Sequence, residues 1–190
     1  MGFVVRQVRA EEWPEVRELR LEALRDPVAG IAFLEKYEDA VAQPDVFWQG
    51  RAERAAEGGG GDVRQFVAAG TDGRWLGTVT VLVERASGGV RFGAAAEEDQ
   101  THLVGVYVRP EARGRGVADA LFRAAVEWSW ALREPEVRRV RLYVHERNGR
   151  AAAFYRRAGF TPSGATMAME GDPEARELEY EMRRPGATPG

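Results

Sequence analysis

Within a short stretch of the chain, three kinds of pattern follow one another. His102 to Val108 is apolar and β-branched and reads as a strand. Arg109-Pro110 breaks it, and Arg113-Gly114-Arg115-Gly116 forms a glycine-bearing turn. Val117, Leu121, Phe122, Ala125 and Trp128 then recur at helical spacing, which predicts a helix from Gly116 to Leu132. A strand that feeds a glycine turn at the mouth of a helix is built to receive an anion. The first-turn amides of a helix have no partner within it, and they lie at the positive end of its dipole. Gly114 and Gly116 let the backbone approach a phosphate without interference from a Cβ, while Arg113 and Arg115 add charge. The turn lacks the Gly-Lys-Ser/Thr ending of a nucleotide-triphosphate loop and the three-glycine spacing of a dinucleotide fold.

Charge distribution agrees with a local anionic ligand. The net charge is −3, yet the span from Arg109 to Arg157 holds twelve Arg against six Asp or Glu. A basic middle in an acidic chain fits a small anion better than a nucleic acid, which needs a broad basic face. With no cysteine and only His102 and His145, thiol chemistry and a zinc site are not expected. No apolar run is long enough to span a bilayer, and the start of the chain does not read as a signal peptide. The protein is therefore expected to act in the cytoplasm without a membrane partner.

Around this turn the chain reads as an α/β protein with a mixed sheet. Strands are expected at Phe3–Val8, Gln65–Ala69, Trp75–Glu84, His102–Val108, Val137–Val144, Phe160–Met169 and Leu178–Arg183. Helices are expected from Glu11 to Asp26, Asp45 to Glu57, Gly116 to Leu132 and Arg150 to Ala158. Residues 28 to 43 read as a short helix or a loop, Gly58 to Gly61 as a flexible run, and residues 86 to 100 as a Gly-, Ala- and acid-rich loop. Trp75–Glu84 is apolar or β-branched on both faces and belongs in the middle of the sheet. One domain over residues 1 to 184 and a frayed tail over 185 to 190 account for the length.

A second pattern follows: Asn148-Gly149-Arg150-Ala151, then Phe154-Tyr155, then Gly159-Phe160. Asn148 stands where a strand gives way to a helix, where its side chain either caps the helix or bonds a ligand. Tyr155 falls seven residues later on the same helical face. Arg113-x-x-Gly116-x-Ala118 after Val108-Arg109-Pro110-Glu111, together with this second pattern in this order, resembles the acetyl-CoA signature of the GNAT N-acetyltransferases. The resemblance covers residues 103 to 160. It implies a mostly antiparallel sheet, splayed at the cofactor strand and flanked by helices. Loop amides from Arg113, Gly114, Arg115, Gly116, Val117 and Ala118 would take the pyrophosphate of acetyl-CoA. The backbone of Val106, Tyr107 and Val108 would pair with its pantetheine arm, with Asn148 beside it. Tyr155 would protonate the departing thiolate, and an amide of Val106 or Val108 would polarise the carbonyl.

The resemblance leaves a gap. An attacking amine must be free base, and an alkylamine has a pKa near ~10.4, so some group must take its proton. Many relatives place a Glu on the cofactor strand where this chain has Val104 and Gly105. Glu84 is the base expected first; His102, Glu35 and a water chain are the others. Phe33, Glu35, Trp48 and Met167 are expected to line the acceptor site, with Glu35 suited to a cationic amine. The acidic run Glu97-Glu98-Asp99 reads as a solvated loop. The implied activity is acetyl transfer to a primary amine of a small molecule or peptide, by a monomer or homodimer, without nucleic acid or resident metal. An acyl-CoA-binding regulatory module of the same fold is the alternative.

Overall fold

The structure is a computed structural model and describes residues 2–86, 88, 93–169 and 172–186, the side chains of Asp172 and Pro173 excepted. The chain runs β1 (Phe3–Gln7), α1 (Trp13–Leu24), α2 (Tyr37–Val41), α3 (Asp45–Ala55), β2 (Val63–Gly70), β3 (Trp75–Glu84), β4 (Gln100–Val108), α4 (Val117–Ala131), β5 (Arg139–His145), α5 (Gly149–Arg157), β6 (Thr161–Met169) and β7 (Asp172–Arg183). Residues 28 to 43 hold α2 and a 3-10 turn at Ala29–Ile31. The last strand begins at Asp172, earlier than the Leu178 expected, because it pairs with both β5 and β6 along most of its length. Part of the loop at 86 to 100 and most of the expected tail lie outside the described residues.

The described strands form one sheet in the order β1-β2-β3-β4-β5-β7-β6. Every pairing is antiparallel except that of β4 with β5. Successive side chains on a strand point to opposite faces, and the core divides accordingly. Phe66 and Ala68 of β2 join Val117, Leu121, Phe122, Ala125 and Tyr155 in one cluster under α4 and α5. Val67 of β2 joins Val16, Leu19, Ala23, Trp48 and Ala52 in the other, under α1 and α3. β3 is buried along nearly all of its length, as its two apolar faces predict.

Two irregularities open this sheet. The parallel pairing of β4 with β5 holds only from Gln100–Arg139 to His102–Arg141. Beyond His102 the two strands part, and one edge of Leu103–Val108 has no neighbouring strand among the described residues. The β3–β4 register also slips between Thr78 and Thr80, so that Gly105 and Val106 together face the single Val79 of β3. Gly105 takes φ +61° at this bulge, a conformation that a residue with a Cβ rarely adopts. An unpaired strand edge therefore runs toward the N-terminus of α4.

Candidate active site

A cleft of about 750 Å³ occupies the splay. Its floor is Leu103–Val108. One end is closed by Ala112, Arg113, Gly114, Gly116, Val117, Ala118 and Asp119, and one side by Asn148, Ala151, Phe154 and Tyr155. Gly116 caps α4 with φ +78°, and Gly114 has φ +72°. The first bond of α4 runs from Ala120 N–H to Gly116 O at 3.0 Å, so the amides ahead of Ala120 precede the helical ladder. A Cβ added at Gly114 or Gly116 would meet nothing within 4 Å, so the space beside this turn is open to a ligand. Backbone amides at a positive helix end suit a pyrophosphate, and an unpaired strand edge suits an amide-bearing arm. The cleft thus fits acetyl-CoA in its residues and its size.

The side chains of Arg113 and Arg115 are placed differently from each other. Arg115 is exposed and does not line the cleft. Arg113 lines it, but its Nε donates to Val108 O at 2.9 Å and its Nη2 pairs with Asp26. Asp26 is buried (3 % side-chain exposure) and also accepts from Val28 N at 3.1 Å. The arginine thus braces the end of β4 and ties the turn after α1 to the phosphate-side loop. Asp26→Asn is expected to weaken acetyl-CoA binding about 3- to 10-fold and to cost about 1–3 kcal/mol of stability, from loss of a charge-assisted hydrogen bond. Calorimetric titration and urea unfolding check the two figures.

Asn148 caps α5, accepting from Ala151 N at 3.2 Å. Tyr155 is buried and stacked on Phe122 with centroids 5.5 Å apart. Burial raises the pKa of its phenol, and the nearby Glu177 raises it further. The hydroxyl stays protonated at neutral pH, the state a proton donor needs. Glu177 is a buried carboxyl that also lines the cleft, and burial pushes its pKa upward. Sequence reasoning missed it, as it missed Arg20, Asp26, Tyr143, His145, Arg150 and Arg157, all of which line the cleft. The paths of β5 and β7, α1 with the turn after it, and α5 bring these residues there.

The base candidates separate. Glu84 does not line the cleft. Its carboxylate accepts from Gln100 Nε2 at 2.6 Å, pairs with Arg141 at 2.8 Å and faces His102 Nδ1 at 3.0 Å. Burial pushes its pKa up, but the hydrogen bonds from His102 and Gln100 and the charge of Arg141 outweigh this and hold it below the ordinary carboxylate range. A carboxylate so engaged is a poor proton acceptor, and the expectation for Glu84 is corrected on that ground. His102 does line the cleft, at the point where β4 and β5 part. Its exposure is 1 %, and burial lowers its pKa despite the opposing pull of Glu84. With its Nδ1 proton directed to Glu84, the imidazole carries its basic lone pair on Nε2. The ring of Tyr143 lies edge-on to His102, with centroids 5.4 Å apart.

Of the acceptor-side candidates, Phe33 and Glu35 line the cleft. Trp48 does not: it is fully buried in the cluster under α1 and α3, because its position on α3 faces the core. Met167 sits on β6 away from the cleft. Glu35 pairs with Arg20 at 2.7 Å and lies 3.7 Å from Arg51, so its charge is already matched and the expected cation site is not there. In the acidic run, Glu98 pairs with Arg183 at 2.8 Å and Asp99 accepts from Ala86 N at 3.0 Å. These acids hold the loop and stay out of the cleft.

A sheet splayed beside a phosphate-ready helix end, with a cleft between, defines an acyl-CoA-type transferase fold. Residues 13–160 match the Acetyltransferase (GNAT) family, and the chain belongs to that family. A Bacillus subtilis protein described as a ribosomal protein bS18-alanine N-acetyltransferase is 33 % identical over 66 residues, which cover 35 % of this chain and 42 % of that one. The chain thus matches less than half the length of this relative. An acetyltransferase of the GNAT family from Streptococcus pneumoniae has a TM-score of 0.74 at 13 % identity, over 96 % of this chain and 100 % of that one. The PaiA N-acetyltransferase of Thermoplasma acidophilum, solved with coenzyme A, has a TM-score of 0.67 at 18 % identity, over 97 % and 100 %. At these identities the two structures speak for the fold.

Proposed function

We propose that this protein transfers the acetyl group of acetyl-CoA to a primary amine of a small molecule or peptide, by direct attack in a ternary complex. The observation that carries this reading is the presence of three features along one cleft: the open loop at Gly114–Gly116, the unpaired edge of β4, and a tyrosine and a histidine, Tyr155 and His102, that both line it. In this reading His102 takes the proton of the incoming ammonium, positioned and made more basic by Glu84. The amine nitrogen then bonds to the thioester carbonyl carbon. A backbone amide of Val106 or Val108 stabilises the oxyanion, the carbon–sulfur bond breaks, Tyr155 protonates the sulfur, and the former amine nitrogen gives up its second proton, through solvent, to restore the phenol. The His102–Glu84 pair supplies the proton acceptor that Val104 does not, which favours catalysis over a purely regulatory acyl-CoA-binding role. The reading includes one acetyltransferase domain over residues 1 to 184, acting in the bacterial cytoplasm as a monomer or homodimer without a nucleic-acid or membrane partner.

Release of free thiol from acetyl-CoA in the presence of a primary-amine panel tests the proposal. An amine-dependent release supports it. Binding of acetyl-CoA without amine-dependent release across the panel would leave the regulatory role standing in its place. Tyr155→Phe is expected to lower kcat about 10- to 30-fold with little change in KM. The effect lies below the general range for acid–base catalysis because a thiolate, with a pKa near ~8.5, leaves with modest help.

A further inference from the structure

Helices α1 and α3, which reach the cleft at Arg20, carry a cluster of arginines. α1 and α3 pack together and carry Arg17 and Arg20 on one helix and Arg51 and Arg54 on the other, each pair three residues apart on one face. Among the described residues, Glu35 is the one carboxylate within ion-pair distance of any of these four. Arg20 Nε reaches Glu35 Oε2 at 2.7 Å, and Arg51 Nη1 approaches the same oxygen at 3.7 Å. Two guanidinium groups therefore share a single carboxylate oxygen. Burial depresses the pKa of Arg51, the neighbouring charge of Arg20 depresses it further, and Arg54 adds to the effect. Arg17 Nε is buried with no hydrogen-bond partner. Arg20 and Arg51 thus crowd one carboxylate oxygen while partly withdrawn from water, and an anion would offset that excess of positive charge.

The geometry also says where that anion enters. Arg20 and Glu35 line the main cleft, and the Arg20 guanidinium lies over the Phe33 ring at 4.5 Å. Behind Arg20 a niche of about 20 Å³ opens between α1, α3 and the bulge of β4. It is lined by Arg20, Arg51, Gln65, Thr78, Thr80 and Gly105, among others. That volume admits one oxygen-sized group and no more. A carboxylate can place one oxygen there beside Arg20 and Arg51, and Arg20 also lines the cleft.

We propose that the acceptor is an amine that also bears a carboxylate, and that Arg51, with Arg20, binds that carboxylate at the α1–α3 wall of the cleft. This rests on the acetyltransferase reading for the role of the amine, though not for the binding itself. The carboxylate group anchors the acceptor at one end and leaves its amine free to reach the acetyl carbon at the β4 splay. Arg51 is the discriminating residue because, among the described residues, its contacts are the long approach to Glu35 and a place over the Trp48 ring at 5.6 Å, and it is a third exposed, so Arg51→Gln leaves the Arg20–Glu35 pair in place.

The test is calorimetric titration of the protein saturated with coenzyme A. The titrants are amino acids against their carboxamides, and Glu-initiated against Gln-initiated tripeptide amides. The carboxylate partner of at least one pair is expected to bind about 10-fold tighter. Arg51→Gln is expected to bring that pair within about 3-fold, and Arg51→Lys to restore part of the difference. Carboxamides that bind as well as carboxylates would overturn the proposal. So would a preference that survives Arg51→Gln, or a lack of any carboxylate binding up to ~10 mM, where Kd values carry little free energy. If coenzyme A itself fails to bind, the titration is made on the free protein and still decides the carboxylate site, while the acetyl-CoA reading falls separately. If the pairs discriminate but no acetyl group is transferred, only the catalytic reading falls.

Discussion

Gly116→Glu is expected to weaken acetyl-CoA binding by more than about 100-fold while the protein stays folded. The argument begins with the backbone. Gly116 caps α4 at φ +78°, so any Cβ there carries a conformational cost of about 1–2 kcal/mol. The space around it is open, so the new side chain meets no protein atom at its Cβ. A carboxylate at a helix N-terminus is favoured by the helix dipole, which offsets part of the strain. The same dipole that welcomes the glutamate is thereby withdrawn from the ligand. The carboxylate occupies the position a phosphate oxygen would take and repels the remainder. Gly116→Ala separates strain from occupation: it bears the same φ cost with no charge, and a loss of only a few-fold is expected. Titration calorimetry of the three proteins, with thermal unfolding as the folding control, gives the result. A Gly116→Glu protein that binds within 3-fold of wild type would remove the pyrophosphate from this loop.

What could be read in the sequence was what is local in the chain. The glycine turn and the helix after it lie within one run of residues, and turn chemistry and helical spacing mark both. The Asn148–Tyr155 relation is one helix long and equally plain. The central place of β3 followed from its two apolar faces. What could not be read was set by long-range pairing. Glu84 and His102 meet because β3 and β4 pair antiparallel with Leu82 opposite His102, and no local pattern encodes that register. Arg113 was expected to face phosphate, and its partner Asp26 lies far back in the chain at the end of α1. Phe33 and Trp48 are both aromatic and near in sequence, yet one lines the cleft and the other fills the core. Only the docking of α3 against α1 separates them. The sheet's bulge was legible only as an unexplained Gly105, because a positive φ is a property of the fold and a glycine merely permits it.

His102→Gln is the decisive test of the proposed base, with an expected fall in kcat of about 10²- to 10³-fold. His102 stands where β4 and β5 separate, and among the described residues the groups around it include Glu84 from β3, Arg141 and Tyr143 from β5, and Glu179 from β7. A base must be unprotonated. Burial lowers the pKa of His102 below its ordinary value near 6.5, so the imidazole is neutral at pH 7 and becomes charged only on the acid side. The wild-type kcat is therefore expected to be flat through neutrality and to fall only as the pH drops below about 6.5, with the lost protein form being the imidazolium. In His102→Gln that acid limb should vanish along with the rate. Gln keeps a donor for Glu84, so the buried carboxylate retains a partner, and unchanged acetyl-CoA binding serves as the control for folding. Glu84→Gln is the positioning variant. Glu84 raises the basicity of His102 through its hydrogen bond and its charge, so removing that charge should move the acid limb to lower pH and reduce kcat about 10-fold. A structural role alone would lower kcat without moving the limb. If His102→Gln keeps kcat within 3-fold of wild type, the ammonium proton leaves by another route, and the buried carboxyl of Glu177, on the Tyr155 side of the same cleft, becomes the next residue to replace.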